Sequence, residues 1–150
     1  MSVHLTFYGA VKEVTGSCYL LQTDASQVLL ECGLHQGPPD IERLNLQPFP
    51  FAVERVDAVV ISHAHLDHSG LLPKLAAAGY EGPVYCTYMT FELLKIMLMD
   101  AAHLQQRDTE WTNRRRRRAG AALEEPLYTL DHVRRILHQC SPLPYRHARQ

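Results

Sequence analysis

The segment VDAVVISHAHLDHSG, residues 56–70, constrains the fold more than any other part of this chain. Its first half is mostly apolar, as in a strand that is buried on both faces. Three histidines and one aspartate then follow within six positions, namely His63, His65, Asp67 and His68. Because open α/β sheets carry their ligands where strands end, this segment predicts a strand that leads to a binding site at the sheet edge.

The residues before this segment predict strands and a loop. VHLTFYG alternates apolar and polar residues and places Val3, Leu5 and Phe7 on one face. CYLLQT and QVLLEC predict two further strands, separated by a turn at residues 24–26. The Pro- and Gly-rich stretch that follows predicts a loop with a short helix at residues 41–46.

The residues after it predict alternating helices and strands. GLLPKLAAAG predicts a helix that ends at Gly79, and GPVYCT predicts a strand. Residues 90–118 predict one long helix, and TLDHVRRILHQ predicts a last helix with Thr129 or Asp131 near its cap. The apolar stripe of the long helix comprises Leu93, Leu94, Met97, Leu98, Ala101 and Leu104. This order of elements predicts an α/β domain in which helices cover a mixed sheet.

The histidine cluster predicts a metal site. Positions two apart in an extended segment point the same way, so His63 and His65 can share one target. Asp67 and His68 begin the next helix and can face a second target. Imidazole and carboxylate groups bind zinc, manganese or iron, and a pair of such metals about 3.5–4 Å apart would make this crowding favourable. The metals would lower the pKa of bound water from about 15.7 toward about 7, which yields a hydroxide nucleophile.

Structural zinc is the alternative kind of metal site, but it usually takes a closed set of cysteine and histidine ligands. No cysteine lies near the cluster in sequence, and no C-x-x-C pair occurs. We expect the cysteines to be reduced thiols of a cytoplasmic protein, most of them small core residues; they are Cys18, Cys32, Cys86 and Cys140.

The overall composition excludes several classes of protein. The N-terminus has no pattern of a secretory signal, and no apolar run approaches the roughly 20 residues of a membrane helix. The net charge of −1 gives no general attraction to nucleic acid, so any such attraction must come from a local patch.

The H-x-H-x-D-H segment resembles the signature of metallo-β-lactamase-fold hydrolases. Three further blocks are similar to the β-CASP branch of these enzymes, which includes RNA 3′-end processing nucleases and related exonucleases. They are GAVKEVTGSCYLLQT, LLECGLHQG and PVYCTYMTFELLKIMLMDAAHLQQRDTEW. The resemblance implies a metallo-β-lactamase-like αββα layered fold, of which residues 1–150 form the N-terminal part. The rest of the domain and most of the β-CASP insertion would follow, in agreement with an end, SPLPYRHARQ, that carries no stop signal of a packed domain.

The resemblance also implies roles for single residues. His63 and His65 would bind a first zinc ion, and Asp67 and His68 a second, with Asp67 as the candidate catalytic residue. Glu31 stands where the family usually has an aspartate that supports the metal-binding loop from outside the ligand set. The alternative interpretation is that Glu31 is an ordinary edge-strand carboxylate.

Two loop glycines and four later histidines have less specific roles. Gly33 and Gly37 either allow a tight backbone near the site or are ordinary loop glycines. The further ligands that the family uses, a histidine, a bridging aspartate and a last histidine, are expected downstream. We expect His103 in the core or an interface and His132 and His138 at the surface, and none of these, nor His147, has the context of a ligand.

An arginine run ends the long helix and consists of Arg114, Arg115, Arg116, Arg117 and Arg118. On a helix these residues spread around all faces. One interpretation is a solvated helix end, partly balanced by Asp108 and Glu110. The other is contact with the phosphate backbone of a nucleic acid, which would make binding depend on salt.

The leading functional hypothesis is a metal-dependent ribonuclease in which a metal-bound hydroxide attacks phosphorus. One alternative is a hydrolase of the same fold that acts on a thioester or other small substrate. A second is a non-catalytic scaffold paralogue in an RNA-processing complex, although such paralogues typically lose ligand residues and this motif is complete. The expected cofactor is Zn²⁺, with two ions in the full-length enzyme. The expected partners are RNA and, as one option, a second copy in a homodimer, with no membrane; the 150 residues alone should bind metal weakly and have little activity.

Overall fold

A computed structural model of the chain describes residues 2–146. Its centre is one six-stranded sheet in which the strands follow sequence order. The strands are β1 (Val3–Phe7), β2 (Tyr19–Thr23), β3 (Gln27–Leu30), β4 (Ala58–Val60), β5 (Val84–Thr87) and β6 (Cys140–Leu143). The first three pair antiparallel and the last four pair parallel, so the predicted mixed sheet is confirmed.

The predicted helices are present at their expected places. They are α1 (Pro39–Glu42), α2 (Leu66–Ser69), α3 (Leu72–Ala77), α4 (Tyr88–Arg118) and α5 (Leu130–Gln139), with 3-10 turns at Arg43–Leu46 and Val53–Arg55. The hydroxyl of Thr87 accepts the Thr90 N–H at the start of α4. Thr129 caps α5 in a reciprocal arrangement with His132, which satisfies backbone donors that a helix start leaves free. Within residues 2–146, none of these helices has the length and apolarity needed to cross a membrane.

One face of the sheet forms the core together with the helices. The strand register aligns Leu20, Leu29, Val59 and Val84 in a row across four strands. All four are buried, and they share one core cluster with residues of α3, α4 and α5. Burial of this row fixes the register, because a slip by one residue would turn the row to the other face.

The other face of the sheet is apolar but open, which differs from the prediction for β4. Val59 is fully buried, whereas its neighbour Val60 is 38% exposed, so this strand is not buried on both faces. Val3, Leu5 and Phe7 do share one face as predicted, but all three are exposed. Alternating side chains of a strand point to opposite faces, and the described helices bury only one of them.

Two other predictions need correction, and one strand was not predicted. The buried face of α4 includes Leu94, Leu98 and Ala102, whereas Leu93 and Leu104 of the predicted stripe are 52% and 44% exposed. Each residue advances about 100° around a helix, which places Leu93 and Leu104 beside the buried face rather than on it. His103 is exposed rather than part of the core. The residues Cys140–Leu143 form a sixth strand at the sheet edge, a position that tolerates the proline in its sequence.

The cysteines are free thiols, as predicted. Cys18, Cys32 and Cys86 are buried, and Cys140 is half-buried. His147 lies outside the described residues.

Candidate metal centre

The histidine cluster lies at the edge of the sheet where the parallel strands β3 and β4 end. His63 and His65 occupy the loop after β4, and Asp67 and His68 lie in α2. Glu31 directly follows β3. The carboxyl ends of neighbouring parallel strands meet at the same edge, which brings residues about thirty positions apart together.

Backbone hydrogen bonds hold α2 against the loop that follows β3. The N–H of Cys32 donates to the His68 carbonyl at 2.8 Å, and the N–H of Leu34 donates to the Leu66 carbonyl at 2.8 Å. The N–H of Ser17 donates to the Asp67 carbonyl at 2.9 Å. The bonds to the Asp67 and His68 carbonyls satisfy acceptors that so short a helix leaves free, and together the three bonds fix the position of the motif segment.

Gly33 lies at the closest point of this contact. A Cβ atom built at this residue would lie 1.8 Å from the Asp67 carbonyl oxygen and 2.7 Å from the Ser17 nitrogen. No side chain fits there, so the loop requires glycine for close approach of two backbones. Gly37 has a φ of +150°, but its nearest neighbours would tolerate a Cβ atom.

The first pair of donor atoms belongs to His63 and His65. Nε2 of His63 lies 3.2 Å from Nδ1 of His65, and their ring centroids are 4.7 Å apart. The other ring nitrogen of His63, Nδ1, lies 2.8 Å from the hydroxyl of Ser62. This contact orients the imidazole so that Nε2 faces His65.

The second pair belongs to Asp67 and His68. Oδ2 of Asp67 lies 3.5 Å from Nε2 of His68. The His68 ring also lies against the His63 ring, with centroids 4.1 Å apart. The two pairs are therefore neighbours, and the predicted ligand residues are close to one another.

Both separations match the spacing of two ligands on one metal ion. Two donors that each bind tetrahedral zinc at about 2.0–2.1 Å lie about 3.3–3.4 Å apart. Within residues 2–146, however, no group of three or more His, Cys, Asp or Glu side chains is arranged to hold a metal ion. Each pair supplies two donors, fewer than the three protein ligands that a catalytic zinc ion usually takes, so each ion would need ligands from elsewhere in the protein.

Glu31 contacts both ends of the cluster from a buried position. Glu31 is only 9% exposed, and its Oε1 atom accepts a hydrogen bond from the Ser62 N–H at 3.0 Å. Its Oε2 atom lies 3.6 Å from Nδ1 of His68, the ring nitrogen turned away from Asp67. Glu31 follows an inner strand and has a φ of +60°, which does not fit an ordinary edge-strand carboxylate.

The cysteines stay outside this arrangement. Burial raises the pKa of the Cys18 thiol to about 12, and burial also raises the pKa of Cys32 well above its usual range. Metals bind the thiolate, so these protonated core thiols are poor ligands.

Some predicted residues lie elsewhere, and some supporting residues were not predicted. The arginine run forms the end of α4, and His138 is exposed on α5 as predicted, whereas His132 is half-buried and takes part in the α5 cap. Ser62 and Ser69 were missed, although both stand in the motif segment. The Ser69 hydroxyl donates to the His65 carbonyl at 3.0 Å and is fully buried. Small hydroxyl residues that flank candidate ligands are the signal that could have identified them.

Comparison with known proteins adds family information to this geometry. The family model of the metallo-beta-lactamase superfamily matches residues 11–138. The chain is 41% identical over 138 residues to Ribonuclease TTHA0252 of Thermus thermophilus, covering 92% of this chain and 27% of that protein. It is 43% identical over 103 residues to the transcription termination factor FttA of Methanosarcina mazei, covering 65% of this chain and 16% of the relative. It is also 35% identical over 108 residues to the probable RNase MJ4 of Methanocaldococcus jannaschii, covering 72% of this chain and 24% of the relative.

Proposed function

Because this chain belongs to the metallo-beta-lactamase superfamily, we propose that the whole protein is a metal-dependent ribonuclease. The chain spans about a quarter or less of the relatives described above, so the activity is proposed for the whole protein. The observation that carries the proposal is the spacing of the two donor pairs, 3.2 Å for His63 and His65 and 3.5 Å for Asp67 and His68.

The donor set suits two Zn²⁺ ions. Imidazole nitrogen and carboxylate oxygen are ordinary zinc ligands. His63 and His65 would hold one ion, and Asp67 and His68 the other. When bound, such ions lower the pKa of water toward about 7 and so supply a nucleophile at neutral pH.

The residues of this chain orient the reacting groups. Ser62 fixes the His63 ring through Nδ1, and Glu31 faces the Nδ1 atom of His68. Asp67 is the proposed catalytic residue, because its carboxylate can accept a hydrogen bond from the attacking water and so direct the water's lone pair at phosphorus. A phosphodiester bond then breaks as the new P–O bond forms, and the proton that the attacking water gives up passes to the leaving oxygen.

Similarity to named ribonucleases supports RNA as the substrate. The alignment with the Thermus enzyme covers nearly all of this chain, and the relative's name states its activity. We place the protein in the β-CASP branch on the blocks that include Thr15–Ser17 and Glu31–Gly33. The exposed cations of the arginine run provide a local patch of the kind that RNA binding requires in a protein of near-neutral charge.

Several further properties follow as proposals. We propose that residues 1–150 are the N-terminal portion of the metal-binding domain. This portion alone should bind metal weakly and have little activity, because each ion would receive only two ligands from it. Four free thiols favour a reducing, cytoplasmic location. A homodimer stays a prediction, which light scattering of the whole protein can test.

Hydrolysis assays on the whole protein test the function. Labelled RNA, a thioester and a β-lactam are offered to protein that was dialysed against a chelator and then supplied with Zn²⁺. We expect zinc-dependent cleavage of RNA alone, and a loss in His65→Ala larger than the roughly 100-fold typical of outer-shell changes. His103→Ala, which changes an exposed histidine of α4, serves as the matched control. Turnover of the thioester or β-lactam without cleavage of RNA would contradict the proposal.

A further inference from the structure

The second half of α4 carries an exposed tryptophan within a row of arginines. Trp111 is 61% exposed, which is unusual for so large an apolar side chain. Arg107, Arg114, Arg115 and Arg118 are exposed as well. With 3.6 residues per turn, these five positions fall within about 100° of the helix surface and extend over about 16 Å of its length. We call them the arginine–tryptophan face.

The opposite side of the same half-helix is occupied by the chain that returns from it. Arg116 forms an ion pair with Glu124, with Nη1 and Oε1 2.6 Å apart, and its Nε donates to the Ala122 carbonyl. Asn113 accepts the Glu124 N–H through Oδ1 and donates to the Glu124 carbonyl through Nδ2, both at 2.8 Å. These contacts hold residues 121–125 against one side of α4, and the arginine–tryptophan face remains open.

The arginine run is therefore not one functional unit. Arg116 has a structural role, since its guanidinium is engaged by the returning segment. Arg115 lies over the Trp111 ring at 5.0 Å and holds a cation beside the indole. Within residues 2–146, Arg107, Arg114 and Arg118 take part in none of the ion pairs.

A solvated helix end does not account for this face. Cations stabilise a helix C-terminus only within its last turn. Trp111 lies about two turns before Arg118, and Arg107 about three turns before it. Neither residue is stabilised by the helix dipole at that distance. An exposed indole also lacks the favourable burial that aromatic side chains have in the core.

We propose that the arginine–tryptophan face binds single-stranded RNA. The inference rests on the proposed function, because it states which surface outside the metal centre binds the substrate strand. Arginines contact phosphates, and an exposed aromatic ring stacks an unpaired base, which is the combination found on surfaces that bind single strands. Tryptophan and arginine also occur together at protein interfaces, so base stacking by Trp111 is the property that the test must isolate.

Fluorescence anisotropy of the whole protein tests this inference. The probe is a labelled oligouridine of about 12 nucleotides, a length within the range that such surfaces cover. A chelator is present throughout, so that hydrolysis does not interfere. Arg114→Gln/Arg118→Gln is compared with Arg134→Gln/Arg135→Gln, a control that removes the same charge from α5.

The face variant should lower the affinity at least about tenfold at low salt and reduce the salt slope by about 1.4, whereas the α5 control changes neither. Trp111→Ala should weaken binding about fivefold or more at every salt concentration, and Trp111→Phe should retain most of the affinity. Duplex RNA of the same length should not respond to Trp111→Ala, because its bases are already stacked.

Three results would overturn the inference. The first is an unchanged affinity and salt slope in the face variant, and the second is an equal loss of affinity in the α5 control. The third is a loss of affinity from the arginine changes without any loss from Trp111→Ala, which would indicate a site for acidic polymers in general. Retained binding by Trp111→Phe separates a lost stacking contact from a misfolded helix. Cleavage is measured separately, so a protein that binds RNA as described but does not cleave it would refute only the proposed function.

Discussion

The Oε2 atom of Glu31 lies 3.6 Å from the Nδ1 atom of His68, and neither atom has a hydrogen-bond partner among residues 2–146. The other carboxylate oxygen of Glu31 accepts the N–H of Ser62, the residue that precedes the motif. One buried carboxylate thus contacts the segment that enters the cluster and the histidine that ends it. Histidines that bind metals usually turn their second nitrogen toward such a carboxylate.

Glu31→Gln should weaken zinc binding of the whole protein by roughly 10–100-fold, as is typical for outer-shell partners of metal-binding histidines. The substitution keeps the acceptor for the Ser62 N–H but removes the charge that faces His68. Competition titration against a chromogenic chelator measures the affinity. Glu81→Gln changes an exposed carboxylate that pairs with Arg135 and serves as the control. Equal zinc affinity in Glu31→Gln and the unmodified protein would show that this charge does not support the ligands.

Replacement of one residue from each donor pair should remove one ion at a time. If the pairs serve different cations, His65→Ala and His68→Ala should each lower the zinc content from about two ions to about one per chain, and the double variant should lose both. Mass spectrometry of the metal after exhaustive dialysis gives the content, with His103→Ala as the control. Full zinc content in both single variants would contradict the assignment of these side chains as ligands.

The strands and helices were predictable because their signals are local. Alternation over VHLTFYG and the threonine before α5 each depend on neighbours in sequence, and the structure has the expected elements there. The predicted ligands were close in space because they are close in the chain. Their contact with Glu31 was suggested only by resemblance, since a contact across about thirty residues leaves no periodic signal.

The errors share a different physical origin. The exposure of Val60 and Leu93 depends on which face the rest of the fold covers, and the sequence of one element does not contain that information. The strand Cys140–Leu143 has a proline and a serine, so its apolar pattern is weak, and pairing with β5 decides its conformation. Ser62 and Ser69 act through hydrogen bonds that exist only once the loop has folded.

Gly33→Ala should destabilise the protein by about 1–3 kcal/mol or more and weaken zinc binding as well, because a Cβ atom there would force α2 away from the loop after β3. The built Cβ atom lies 1.8 Å from the Asp67 carbonyl oxygen. Gly79→Ala is the control: its φ is +98°, but nothing lies within 4 Å of the added atom. It should cost stability through backbone strain and leave zinc affinity unchanged. Urea unfolding and the chelator titration measure the two effects, and a Gly33→Ala variant with unaltered zinc affinity would argue against the close contact.

His35 should make folding stability depend on pH. Its Nδ1 atom is buried without a hydrogen-bond partner among the described residues. Burial lowers its pKa from the ordinary value of 6.5; Glu13 opposes this shift and Lys74 adds to it. Above that value both folded and unfolded states are neutral at this residue. As the pH falls through 6.5, the unfolded chain takes up a proton that the folded protein resists, so the free energy of unfolding falls until the pH reaches the lower pKa of the folded state.

His35→Gln removes this contribution, so the variant should lose less stability than the unmodified protein between about pH 7.5 and about pH 5.5. Urea unfolding in the presence of a chelator measures the difference and keeps metal binding out of the comparison. His4→Gln, which changes an exposed histidine of β1, should lose as much stability as the unmodified protein. The same loss in His35→Gln as in the other two proteins would mean that this half-buried imidazole takes up its proton as readily in the folded state as in the unfolded chain.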